Sequence, residues 1–132
     1  MPRVVVDTDV VSFTFKNDSR ADLYAEHLAG QELVLSFMTV AELYRWAIQR
    51  SWGSQRFDAL SRHVRTFLVY PFTDTLCLRW ATVMDQRARS GRPIKSSDAW
   101  IEATAVEHRI PLVTHNRQDF EGIDGLSIIS ES

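Results

Sequence analysis

The chain has 132 residues, 45% hydrophobic and 24% charged, with a formal net charge of −2. These are globular values with room for a real core, and nothing in them announces a nucleic-acid binder. Cys77 is the only cysteine, which excludes an intrachain disulfide framework. No apolar run reaches the length of a membrane span, and the N-terminus lacks the basic-then-apolar pattern of a secretory signal; a cytoplasmic protein of one domain over residues 1–132, away from membranes, is expected.

Residues 3–7 open the chain as a strand, because Val4-Val5-Val6 are β-branched and apolar; the run ends in Asp7-Thr8-Asp9. Residues 10–15 read as a short helix and 16–19 as a polar break. Asp18 or Ser19 caps a second helix through Leu28, ended by Gly30. Residues 33–37 are a second buried strand. Thr39 opens a helix with Val40, Leu43, Tyr44 and Ala47 on one stripe. Trp52-Gly53-Ser54 breaks it, and a helix over 55–67 follows, with Phe57, Leu60, Val64 and Phe67 at helical spacing. Residues 68–72 form a short strand or extended link. Asp74 caps a long helix to Arg89, stopped by Ser90-Gly91-Arg92-Pro93. Ser96 or Ser97 caps a helix through His108. Residues 111–114 are a strand, 115–125 a polar loop and 126–129 a final short strand. Strands alternating with helices predict a three-layer α/β domain with a mainly parallel sheet.

Such a sheet gathers its strand ends along one edge, where ligands sit. That edge brings Asp7, Glu42, Asp98 and Asp119 into reach of one another. Each has an ordinary structural explanation. Asp7 fits a turn, Thr39 to Glu42 fits a capping box, Asp98 fits the first turn of a helix, and Asp119 fits an Asx turn. Together they say more. Asp98 shares a helical side with Ile101 and Ala105, so it faces inward and needs a partner. Arg92 and Lys95 precede the helix, so no cation is obviously supplied. Two carboxylates about 4 Å apart repel by roughly 4 kcal/mol at an effective dielectric near 20. An all-oxygen cluster of this kind suits Mg²⁺ or Mn²⁺, and the chemistry it implies is metal-assisted phosphodiester hydrolysis. Of the fifteen basic residues only Lys16 and Lys95 are lysine; an arginine-rich surface is compatible with an RNA-binding rim, and equally with solvated helix faces.

Four segments carry a resemblance: the strand ending Asp7-Thr8-Asp9, Met38-Thr39-Val40-Ala41-Glu42-Leu43, Ser97-Asp98-Ala99-Trp100-Ile101-Glu102-Ala103-Thr104-Ala105, and Leu112-Val113-Thr114-His115-Asn116-Arg117-Gln118-Asp119-Phe120. In this order the chain resembles PIN-domain ribonucleases, most closely the VapC-type toxins of toxin–antitoxin pairs. The resemblance implies a three-layer α/β/α PIN-like domain. It also implies an endoribonuclease dependent on Mg²⁺ or Mn²⁺, hydrolysing RNA with a metal-activated water. Asp7, Glu42, Asp98 and Asp119 match the family's acids, with Thr114 and Asn116 as supporting polar groups. Thr8 and Asp9 are read as further supports, Asp9 as the cap of the following helix. A homodimer and a cognate antitoxin that blocks the site are likewise implied. Glu102 departs from the pattern, standing where the family often has a small residue, and either joins the metal shell or pairs with an arginine. Arg45 and Trp46, one turn beyond Glu42, and His115 and Arg117 in the site loop are candidate RNA contacts; a solvated loop histidine is the plain alternative for His115.

Two other readings stay open at this stage. Asp7-Thr8-Asp9-Val10-Val11 fits the opening of haloacid-dehalogenase-like phosphatases, with Asp7 as nucleophile and Asp9 as acid/base. That reading leaves Glu42 without a role. A catalytically silent PIN fold that only binds RNA or protein is the other.

Overall fold

The computed structural model describes residues 2–132. Among them, five short strands form one sheet: β1 (Arg3–Val6), β2 (Glu32–Ser36), β3 (Leu68–Tyr70), β4 (Leu112–Val113) and β5 (Ile128–Ile129). Their order is β3-β2-β1-β4-β5, and every pairing is parallel. The helices are α1 (Thr8–Lys16), α2 (Ala25–Leu28), α3 (Phe37–Gln49), α4 (Ser54–Val64), α5 (Asp74–Arg89) and α6 (Ser96–His108), with 3₁₀ turns at Ser19–Leu23 and Arg117–Asp119. This is the expected α/β/α architecture with an entirely parallel sheet.

The period of a strand explains the layers. Val4 and Val6 point to one face, where Val10, Val11, Leu43, Ala47, Leu60 and Val64 of α1, α3 and α4 cover them. Val5 points to the other, against Ile101 and Ala105 of α6, with Leu112 and Phe120. Helix α5 lies outside α6, joined through Val83, Ile94 and Ala99. Each fully buried valine contributes roughly 1.5–3 kcal/mol, so the two apolar faces hold the strand ends in place.

Several element boundaries move, for local reasons. Strand β1 stops at Val6, because Asp7 is the N-cap of α1 and its carboxylate accepts the Thr8 amide. Helix α1 therefore starts at Thr8, and Asp9 is a first-turn residue rather than the cap. The expected second helix is a 3₁₀ turn and then one turn of α-helix; Asp18 caps the turn by accepting from the Arg20 amide. Ser36, not Thr39, caps α3, so the proposed capping box does not form and Glu42 is free for other work. Thr73 rather than Asp74 caps α5. Lys95 holds the cap position of α6 with no side-chain bond, in place of Ser96 or Ser97. Helix α4 and strands β3, β4 and β5 are shorter than predicted.

Candidate active site

The chain steps from β1 to β2 on one side and reaches β4 on the other, so the sheet order reverses between β1 and β4. Parallel sheets open a crevice at that point, beyond the strand ends. Asp7 stands at the end of β1 and Thr114 follows β4. The Asp7 amide donates to Val113 O at 2.9 Å, and the Thr114 hydroxyl donates to Asp7 Oδ2 at 2.7 Å. The other Asp7 oxygen accepts from Thr8 N at 2.7 Å. Asp7 is thus buried and locked across the reversal.

Four further carboxylates meet it there. Asp7, Asp9, Glu42, Asp98 and Asp119 line one open cavity of about 150 Å³ with Thr8, Trp46, Lys95, Ser97 and Asn116. Glu42 arrives on α3, where Oε1 accepts from the Thr8 hydroxyl at 2.8 Å. Asp9 accepts from Val10 N at 2.7 Å and from His115 N at 3.2 Å. Asn116 Nδ2 donates to Asp119 Oδ2, and Asn116 N donates to the Thr114 hydroxyl at 3.0 Å. Asp98, in the first turn of α6, has no hydrogen-bond partner among the described residues.

The electrostatics follow from this crowding. Burial, then the Asp9 carboxylate, push Asp7 well above the usual carboxylate range, against the hydrogen bonds from Thr114 and Thr8. Asp9 is raised by burial, against its amide donors. Asp98 is pushed up to about 6 by burial, then by Asp119 and Glu42, with Lys95 opposing. Lys95 therefore supplies a nearby cation that its position before the helix did not suggest. It forms no ion pair within 4.0 Å among the described residues.

An all-oxygen donor set with one unpaired cation fits a hard divalent ion. As placed, no three acid, histidine or cysteine side chains among the described residues converge tightly enough to close around one.

The remaining expectations divide. Trp46 lines the cavity with the acids. Arg45 is exposed on α3 and is not on the lining. Arg117 faces a different hollow, with Gln118 and Glu121. His115 is no freely solvated loop residue: its ring packs edge-on to Phe13 at 5.4 Å, and Nδ1 hydrogen-bonds the buried Tyr24 hydroxyl. Tyr24 also accepts from Glu131 N at 3.0 Å. It braces the loop that carries the His115 amide to Asp9, a role visible in the sequence only as one more aromatic. Glu102 does not join the cavity. It is buried on the side of α6 that faces α5, and its Oε2 meets Arg79 Nη2 at 3.5 Å.

Comparison with known proteins places the chain in a family. Residues 4–126 match the family profile described as PIN domain. The chain is 30% identical over 129 residues to ribonuclease VapC1 of Haemophilus influenzae strain R2866, covering 92% of each chain. It superposes on VapBC-1 from nontypeable Haemophilus influenzae with a TM-score of 0.82 at 27% identity, covering 97% of each chain. It also superposes on VapBC2 from Rickettsia felis, solved bound to a promoter DNA fragment, with a TM-score of 0.86 over 98% of this chain and 99% of that one. The 18% identity there speaks for the fold alone.

Proposed function

The chain belongs to the PIN-domain family, and on that premise we propose that it is a divalent-metal-dependent endoribonuclease, the toxin of a toxin–antitoxin pair. The observation that carries this reading is the meeting of Asp7, Asp9, Glu42, Asp98 and Asp119 at one cavity from distant parts of the chain. The likeness to a named VapC ribonuclease and to VapBC structures supports it. The haloacid-dehalogenase-like phosphatase alternative gives way, because the family match covers most of the chain and Glu42 stands on the same cavity as Asp7.

Asp7, Glu42, Asp98 and Asp119 would hold Mg²⁺ or Mn²⁺. Bound there, a divalent ion supplies Lewis-acid polarisation of a scissile phosphate and a water made nucleophilic at neutral pH. The chain's own part is preorganisation. Thr114 and the Thr8 amide fix the orientation of the Asp7 carboxylate, one at each oxygen. The Thr8 hydroxyl aims Glu42, Asn116 aims Asp119, and the His115 amide holds Asp9. Trp46 offers an aromatic face at the mouth on which a base of the RNA can stack. Residues 1–132 act as a single nuclease domain in the cytoplasm, where the lone Cys77 stays reduced. The exposed Phe72 and Leu78 are apolar surface suited to a homodimer. A cognate antitoxin would block the site most simply by inserting an arginine among the carboxylates.

The test is cleavage of RNA by purified protein. Activity should require Mg²⁺ or Mn²⁺, vanish with chelator, and be lost in Asp7→Asn; undiminished cleavage by that variant would sink the mechanism.

A further inference from the structure

Beside the acidic cavity lies a second hollow of about 230 Å³, lined by Arg87, Arg92, Lys95, Gln118, Asp98 and Asp119, with Pro93 and Ile94 at its back. Lys95, Asp98 and Asp119 belong to both, so the two are continuous. Its volume is several times one water's share of about 30 Å³. Three cations share this lining with the two carboxylates, and Lys95 acts directly on Asp98. This is the only stretch of the acidic cavity's border where positive side chains gather among the described lining residues.

The cations are not interchangeable. Arg87 is committed to the wall: Nε donates to Arg92 O at 2.7 Å and Nη1 to Glu121 O at 3.3 Å. It ties the connection between α5 and α6 to the loop after the 3₁₀ turn. Arg92 is carried on that braced segment, and its side chain crosses Gly122. There a Cβ would meet Arg92 Nη1 at 3.2 Å, and φ is +83°. Glycine at 122 thus both permits the backbone turn and leaves room for the guanidinium. Neither the Arg92 guanidinium nor the Lys95 ammonium has a side-chain hydrogen bond or ion pair among the described residues. Both side chains are exposed and met by water, so an anion entering the hollow can take that water's place. A planar guanidinium fork beside a point-charge ammonium is a phosphate-binding pair.

We propose that Arg92 and Lys95 form a subsite for the backbone phosphate of single-stranded RNA next to the one being cut, with Arg87 as the brace that positions Arg92. The proposal rests on the ribonuclease reading above and names where the substrate strand leaves the acid cluster. It replaces Arg45 and Arg117 as the rim that holds the RNA, since neither lines either hollow. The division of labour is chemical. Without metal the carboxylates at the centre repel RNA, and a cation pair to one side gives the strand a hold of its own.

Binding of a fluorescein-labelled single-stranded RNA oligonucleotide, followed by anisotropy in EDTA so that no cleavage runs, tests this. In single strands each lost phosphate contact reduces the slope of log Kobs against log[KCl] by about 0.7. Arg92→Gln and Lys95→Gln should each lower the slope by about that amount, and Lys95→Arg should restore it. Arg62→Gln, an exposed cation on α4, should leave it unchanged. In Mn²⁺, Arg92→Gln should raise KM for RNA and retain kcat. An unchanged slope and KM in both glutamine variants, with cleavage intact, overturns the subsite and leaves the nuclease reading standing. A fall in kcat alone overturns it too, because the two residues would then act on the acid cluster. Wild-type protein that neither binds nor cleaves RNA in Mn²⁺ overturns both.

Discussion

Asp98 and Glu102 stand one turn apart on α6, and the fold treats the two carboxylates in opposite ways. Asp98 opens into a cavity shared with four other acids and has no hydrogen-bond partner. Glu102 is fully buried, faces α5 and is offered one arginine at the long distance of 3.5 Å. Burial raises both, Asp98 to about 6 and Glu102 to about 7. For Asp98 the neighbouring acids add to the rise; for Glu102 the Arg79 guanidinium opposes it. The difference lies in what surrounds each group. Asp98, raised first by burial and then by like charges, opens onto the cavity. A group raised by burial alone, beside its own cation, has already been answered within the fold. That answer is incomplete, because Glu102 Oε1 and Arg79 Nε are buried with no hydrogen-bond partner. Such a pair contributes little net stability and is costly to half-remove.

The contrast yields predictions of decreasing size. Asp98→Asn should lower kcat for Mn²⁺-dependent RNA cleavage on the order of 10²–10³-fold, the scale of losing one preorganised electrostatic group. Its melting temperature without metal should hold or rise, since a repelling charge is gone. Glu102→Gln should do the reverse, sparing cleavage and changing stability. With its folded pKa near 7 against 4.5 in the unfolded chain, native Glu102 keeps a proton that the unfolded chain has lost. Wild-type stability should therefore fall as pH rises from 4.5 to 7, by up to about 3 kcal/mol, and level off above. Denaturant melts across that range should show a steeper slope in wild type than in Glu102→Gln, where the raised Asp7, Asp9 and Asp98 supply what remains. An equal slope in both would break the comparison on its structural side.

Metal binding tests the other side. Ligands must be deprotonated to bind, so Mn²⁺ affinity by calorimetry should weaken as pH drops through about 6, where Asp98 takes up its proton. At a hundred times its dissociation constant the ion should stabilise the fold by about 2.7 kcal/mol. Glu102→Gln should keep that gain and Asp98→Asn should lose most of it. The smallest contrast lies within the cluster. Asp9→Asn should retain more activity than Asp7→Asn, because Asp9 is less buried and is held by two amides rather than across the sheet reversal. Cleavage rates for the two variants in one buffer decide the ranking, and the reverse order would make Asp9 the central ligand.

How much of this was legible in the chain differs by residue. The alternation of apolar runs with helical stripes was enough for a parallel α/β/α domain, because strand and helix periods are local properties of sequence. Four acids along the strand-end edge, in family order, were enough to nominate Asp7, Glu42, Asp98 and Asp119. Capping was less legible: Ser36, Asp7 and Thr73 cap their helices one to three residues before the expected positions. Several hydroxyls and acids compete at each start, and the backbone trajectory chooses among them. Glu102 was left with two fates in the sequence and has one in the fold, because only the packing of α5 on α6 says which cation it meets.

The sequence by itself determined which residue types would gather and at which edge of the sheet, since strand ends and helix starts follow from local patterns. The tertiary structure alone decided that Asp7 is bridged to Thr114, that Lys95 turns toward the acids, and that Arg92 crosses Gly122 beside them. Each of those relations joins residues far apart in the chain or on opposite sides of a turn. Their distances depend on how the layers pack, and no periodicity in the sequence records that.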